Sequence, residues 1–324
     1  MKSLKNISLP VQSELSLFNK SFSVSIQSKI PLLNIIINYI IRQKGKQIRP
    51  LLIFLSAKLN GDINNSTYTA ASLAELLHTA TLIHDDVVDE SYERRGFLSI
   101  NALWKSKIAV LFGDYFLAKG LMLSIEKKEF EILGIFTSAV SDMIEGELLQ
   151  IQKSRKLNIS ETDYFEIIKK KTAALLAACT SSGVRSVTDD VKKIAWMKEF
   201  GITIGMAFQI KDDLFDYEKQ SLIGKPKGND IQEKKLTLPL IASLQNATWG
   251  ERRKIIKLIN KKSSNRTTYN QVFEFVHQYN GIEYAKKKMF SLRNEAVELL
   301  MNYPDNTTRS SMIDLVDFIV ERTN

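Results

Sequence analysis

The chain has 324 residues, only 14 Gly and 6 Pro, a hydrophobic share of 44% and a net charge of +9. That composition excludes a disordered or collagen-like chain and leaves ample apolar material for a sizeable core. Nucleic-acid binding is not indicated either, because Lys153, Lys156, Lys192, Lys193, Lys261 and Lys262 are scattered and no basic stripe carries interleaved aromatics.

In chain order, Met1–Pro10 lacks the apolar core of a signal peptide, and residues 1–12 read as a flexible leading segment. The apolar stretch Pro31–Ile41 is too short to span a bilayer, so the expected location is the cytoplasm with no transmembrane segment. Helical periodicity starts near Ser13 and runs through Pro31–Arg42. A polar break ends at Arg49-Pro50, with Pro50 suited to a first helical turn, and Leu51–Leu59 stops at Asn60-Gly61. A long helix is expected from Tyr68 to Asp89, followed by an Arg94-Arg95-Gly96 loop. Further helices are expected over Ala109–Ser124, Glu129–Gln150, Glu161–Ser182, Val191–Asp216 and Thr237–Leu244. From Gly250 on, helices are separated at Ser263–Arg266 and Pro304–Asn306. No alternating strand pattern persists and no Gly/Ser/Pro linker divides the chain. The fold class is all-α: a single domain over residues 1–324, built as a helical bundle around a deep central cavity.

Two acidic clusters share one spacing, Asp85-Asp86-Val87-Val88-Asp89 and Asp212-Asp213-Leu214-Phe215-Asp216, each within an apolar run. Residues four apart stack on one helix face, so Asp85 lies over Asp89 and Asp212 over Asp216. Two carboxylates about 6 Å apart repel by roughly 3 kcal/mol at an effective dielectric near 20. The first cluster also falls near a helix C-terminus, where the dipole favours cations. All-oxygen ligands suit Mg²⁺, which keeps water and phosphate oxygens in its shell. Cations occupy turn positions around both clusters: Lys46 and Arg49, Arg94 and Arg95, Lys225 and Lys235. Such a set fits a ligand of large negative charge, and two diphosphates would qualify. Ala74, Gly201 and Gly205 are small residues on the same stripes, read either as close helix contacts or as space beneath the clusters.

Taken in order, these segments resemble the trans-polyprenyl diphosphate synthases, from about Lys44 to the C-terminus. Lys44–Pro50 is similar to that family's basic loop, with departures at Lys44 and Gln47, the latter removing a positive charge. His78–Gly96 matches the first aspartate motif region, Phe208–Glu218 followed by Gly224–Pro239 the second, and Lys171-Thr172 the family's Lys-Thr pair. The resemblance implies isopentenyl diphosphate bound by Lys46, Arg49, His78 and Arg95. It implies the allylic diphosphate held by Arg94, Lys171, Thr172, Gln209, Lys225 and Lys235. Mg²⁺, three ions in a loaded site, would bridge to Asp85, Asp89 and Asp212, with Asp86, Asp213 and Lys171 completing the catalytic set. It also implies a homodimer.

Large aromatics four or five residues before the first motif stop growth early in the family, and here Ala80 and Thr81 stand there. At roughly one helical turn, about 5 Å, per isoprene unit, the expected product is medium or long, about C30–C40, as for a quinone side chain. Phe116 and Phe136 are candidate floor residues. Trp104, Trp196 and Cys179 read as packing residues. Two other enzyme readings fit less well. A helical metal phosphohydrolase would use His84-Asp85 but needs further His ligands than His78 and His277 supply. A terpene cyclase usually has a differently spaced second motif. A non-catalytic subunit would have lost acidic motifs, and this chain keeps both.

Overall fold

The structure, a computed structural model, describes residues 3–42, 45–94, 96–154, 159–217, 236–260 and 266–322. Its helices in chain order begin with α1 (Leu4–Ile7), a 3₁₀ turn (Leu9–Val11), α2 (Gln12–Ser25), α3 (Pro31–Arg42), α4 (Ile48–Asn60) and α5 (Asn65–Val88). A two-residue hairpin, β1 (Glu93–Arg94) against β2 (Phe97–Leu98), leads into α6 (Ile100–Glu126) and α7 (Phe130–Ser154). Then come α8 (Glu161–Ile168), a π-helical turn (Lys169–Ala173), α9 (Ala174–Arg185) and α10 (Val191–Phe215). The chain ends with α11 (Leu238–Asn246), α12 (Trp249–Asn260), α13 (Arg266–Gln278), α14 (Gly281–Leu300) and α15 (Thr307–Glu321). The all-α class stands as expected.

Two helices are buried on every side and set the plan. Every residue of α4 from Pro50 to Ala57 is buried, as is every residue of α9 from Leu175 to Val184. These two pack on each other, with α5, α7 and α10 laid against α9. Gly183 lets them approach: a methyl group there would meet the Ile53 carbonyl oxygen at 2.4 Å. A second, smaller core joins α3, α5 and α6 through Ile36, Ile37, Ala80, Ile83, Phe112 and Phe116.

Local signals fix the long helices. Asn64 caps α5 by accepting from the backbone of Ser66 and Thr67, and Thr67 returns a bond to Asn64. Asp190 caps α10 in the same way on Lys192 and Lys193. Each cap contributes about 1 kcal/mol.

Three expectations change. Residues 4–11 are not a flexible leader: Ile7 and Val11 are buried in the principal core. Within α6, Lys105 takes non-helical φ 68° and ψ 160°, so a kink separates residues 100–104 from the helix expected over Ala109–Ser124. The helix expected over Glu161–Ser182 contains the π-helical turn. Arg94, expected in a loop, pairs with Phe97 across a short hairpin, and Gly96 has φ 76°.

Among the described residues, α6 is the one helix apolar and long enough to cross a membrane by length and composition. One side packs along α5. The other exposes Val110, Leu111, Leu121, Met122 and Ile125, and α7 exposes Ile144, Leu148 and Ile151.

Candidate active site

Each acidic cluster occupies the last turn of a helix, and its third aspartate is the C-cap: Asp89 on α5 and Asp216 on α10. Both helices pack against α9. Carboxylates at that end oppose the helix dipole, so both clusters call for positive charge. Their surroundings differ. Asp85 and Asp89 are exposed although their cluster lies within an apolar run, while Asp86 is 4% exposed. On α10, Asp212 and Asp216 are half-buried and Asp213 is buried.

Asp213 is built into a chain of hydrogen bonds. The Thr172 hydroxyl donates to Gln209 Oε1 at 2.7 Å, and Gln209 Nε2 donates to Asp213 Oδ1 at 2.9 Å. Tyr164 donates its hydroxyl to Asp213 Oδ2 at 2.6 Å. Burial nonetheless pushes the Asp213 carboxyl up to about 6, against the pull of these two donors and with the help of neighbouring Asp212 and Asp216. Arg322, just past α15, binds Asp212 Oδ1 through Nη2 at 2.5 Å, and burial lowers its guanidinium from the usual range while Asp212 opposes that.

Tyr164, Lys171, Thr172, Gln209 and Asp213 line a cavity of about 250 Å³ between α7, α8 and α10. The π-helical turn presents Lys171 and Thr172 to it, a common use of such turns. Lys171 pairs there with Glu147 and donates to Gln150 Oε1 at 3.1 Å. Of the two readings open for the small residues, close helix contact holds. A methyl group on Gly205 would meet Ala173 Cα at 2.5 Å, and one on Gly201 would meet Ala177 Cα at 2.5 Å. Gly201 brings α10 against α9 and Gly205 brings it against the π-helical turn, where Gln209 meets Thr172. Ala74 is likewise fully buried in the principal core.

Arg49, His78 and Asp86 line a second cavity, about 120 Å³, bounded by α2, α3, α5 and Phe116. Arg49 Nε donates to Glu75 Oε1 at 3.0 Å, which fixes the guanidinium against α5. Gln47, the departure from the basic loop, has φ 49° and exchanges amide bonds with Asn19 of α2, at 3.1 and 2.5 Å. Lys46 lies 5.7 Å over the ring of Phe318 on α15. On α5 this cavity is walled by Glu75, His78, Thr79, Leu82, Ile83 and Asp86. Ala80 instead packs in the second core, and Thr81 is half-buried with its hydroxyl on the His78 carbonyl at 2.9 Å. Phe136 is buried in the principal core.

Arg94 lies on β1, and its side chain is outside the described part, as are Arg95, Lys225 and Lys235 altogether. Sequence reading missed Tyr164, Glu75, Asn19, Phe318 and Arg322. Tyr164 had a signal, lying two helical turns before Lys171, whereas nothing marked Arg322. His84 faces α6, 3.3 Å from the Val110 carbonyl and 3.5 Å from Asp114, and His277 lies against Phe273. The phosphohydrolase reading gains no ligand set from them. Cys179 is fully buried, and burial pushes its thiol up to about 12.

Among the described residues no three His, Cys, Asp or Glu side chains enclose a metal by themselves. Open carboxylates at two helix ends still fit Mg²⁺, which takes few protein ligands and completes its shell with water and phosphate. The chain matches the family described as polyprenyl synthetase over residues 30–276. It is 32% identical to the all-trans-nonaprenyl-diphosphate synthase (geranyl-diphosphate specific) of Rhodobacter capsulatus over 98% of each chain. It is also 32% identical to the octaprenyl diphosphate synthase of Escherichia coli over 94% of each. A crystal structure of polyprenyl synthase from Caulobacter crescentus, complexed with calcium and isoprenyl diphosphate, superposes with a TM-score of 0.90 at 30% identity, covering 100% of this chain and 99% of that one. Paired acidic helix ends, the cations beside them and agreement along nearly the whole length lead to one assignment: the chain belongs to the polyprenyl synthetase family of trans-prenyltransferases.

Proposed function

We propose that the protein condenses isopentenyl diphosphate onto an allylic diphosphate, head to tail and with Mg²⁺, to make an all-trans-polyprenyl diphosphate. The product is about C30–C40, at roughly one helical turn of depth per unit, and serves as a quinone side-chain precursor. The observation that carries this reading is the pairing of each acidic helix end with its own cavity. Asp86 borders the one holding Arg49 and His78, and Asp213 the one holding Lys171, Thr172 and Gln209.

Arg49 and His78 bind the diphosphate of isopentenyl diphosphate, with Lys46 and Arg95 closing over it. Lys171, Thr172 and Gln209 hold the allylic diphosphate, joined by Arg94, Lys225 and Lys235. Asp85, Asp89 and Asp212 would hold Mg²⁺, which when bound would supply positive charge against the negative charge that develops on the departing diphosphate. Lys171 adds a fixed point charge at the same place. The allylic carbon–oxygen bond breaks, and the double bond of isopentenyl diphosphate then attacks the resulting allylic cation. Loss of a proton to the released diphosphate then restores an allylic product, so no side-chain base is needed. Apolar walls keep water from the cationic carbon.

Purified protein given farnesyl diphosphate, labelled isopentenyl diphosphate and Mg²⁺ should yield products longer than geranylgeranyl diphosphate on chromatography. Nothing longer would overturn the product length, and no condensation would overturn the reaction. The exposed apolar faces of α6 and α7 support a homodimer, checked by light scattering in solution. A cytoplasmic location belongs to the same reading, and cell fractionation tests it.

A further inference from the structure

Arg322 is the C-cap of α15, with its side chain 10% exposed. The guanidinium lies along one face of α10, 3.9 Å over the Phe208 ring and 5.4 Å from that of Phe215. Its Nη2 donates to Asp212 Oδ1 at 2.5 Å and to the Phe208 carbonyl at 3.3 Å. Among the described residues its buried Nε–H finds no acceptor, so the fork is only partly used. One turn earlier on the same face of α15, Phe318 lies under Lys46.

We propose that Arg322 is a placeholder cation: it occupies the Asp212 carboxylate in the metal-free protein and yields that carboxylate when the metal and diphosphate arrive. This rests on the reading of Asp212 as a metal ligand. Asp212 sits at the unfavourable end of the α10 dipole, beside two further aspartates, and needs a positive charge in every state of the enzyme. Arg322 supplies it from a stacked position on α10 instead of a solvated one. Two cations competing for one oxygen are linked, so each weakens the other by the same factor. Because Phe318 and Arg322 share one turn, release of Arg322 also loosens the ring beneath Lys46. Loading of the metal side is thereby coupled to the cation on the isopentenyl side.

The test is a Mn²⁺ titration of the full-length protein, followed by electron paramagnetic resonance, without substrate. Wild type is compared with Arg322→Met, Arg322→Lys and Asp212→Asn, the last identifying the Asp212-dependent binding. Arg322→Met should bind Mn²⁺ about 5- to 10-fold more tightly than wild type, a typical coupling. Arg322→Lys, which keeps the charge and loses the flat stack, should fall between. In EDTA, Arg322→Met should melt below wild type, and the gap should narrow as Mn²⁺ saturates. Equal or weaker Mn²⁺ binding by Arg322→Met would overturn the proposal. So would weaker binding seen only with inorganic pyrophosphate present, which would make Arg322 a diphosphate contact. Should the Met variant not fold, a Lys variant equal to wild type would overturn it. If Asp212→Asn binds Mn²⁺ as wild type does, the metal assignment itself fails and takes the placeholder with it.

Discussion

The two acidic helix ends carry one pattern in two settings. On α5, Asp85 and Asp89 stand open to solvent at the mouth, while on α10 Asp213 is buried and held by Tyr164 and Gln209. The spacing of the motif dictates which carboxylates share a face, and the elements packed against it dictate how wet they are. The open end can exchange ligands readily. The enclosed end needs a scaffold that keeps its carboxylates in place between turnovers, and α8, the π-helical turn and Arg322 provide it.

Asp85→Ala should break the comparison most visibly. Turnover should fall by about 10²-fold or more, as on removing one preorganised electrostatic contact, while the thermal midpoint barely moves. A large loss of stability would mean that the open end is structural as well. Next, Gly205→Ala drives a methyl group into the Ala173 backbone and should destabilise by about 1–3 kcal/mol in denaturant unfolding. It should also raise KM for the allylic substrate, because Gln209 is pushed from Thr172. An unchanged midpoint would show that α10 and the π-helical turn part without cost.

The enclosed end also predicts a pH dependence of stability. Folded Asp213 keeps its proton up to about pH 6, and an unfolded aspartate releases its own near 4. Between those values the folded chain binds more protons, so stability should fall as pH rises through that window, by on the order of 2 kcal/mol. Melts in EDTA should show this slope, Asp213→Asn should flatten it, and Tyr164→Phe should extend it upward by removing a donor to the carboxylate. The smallest effect concerns Asn19→Ala, which frees Gln47 from α2. We expect KM for isopentenyl diphosphate to rise about 2- to 5-fold with kcat unchanged, near the net worth of one hydrogen bond.

Much of this was legible in the chain. Apolar periodicity located the long helices, and the two Asp-x-x-Asp spacings placed both clusters on helix faces. Lys171-Thr172 and Gln209 were found as well, and they do line one cavity together. What escaped is of two kinds. Tyr164 and Arg322 reach their aspartates across 49 and 110 residues of chain, and no local pattern encodes such distances. Gly201 and Gly205 were ambiguous because a missing side chain reads the same whether it leaves a void or admits a neighbouring backbone. Only the position of Ala173 and Ala177 decides. The N-terminal segment was misread because its buried residues, Ile7 on α1 and Val11 on the 3₁₀ turn, have no helical register long enough to show a face.

The π-helical turn at Lys169–Ala173 has a consequence for how this chain tolerates change in length. One surplus residue there resets the phase between α8 and α9 by about 100°. A single deletion within it would leave an unbroken, well-bonded α-helix and cost little in local hydrogen bonding. It would also rotate α8 as a body, carrying the Tyr164 hydroxyl off Asp213 and the Ser160 cap away from its approach. The segment behaves as a keyed coupling between two shafts, so insertions and deletions in it are more damaging than most substitutions.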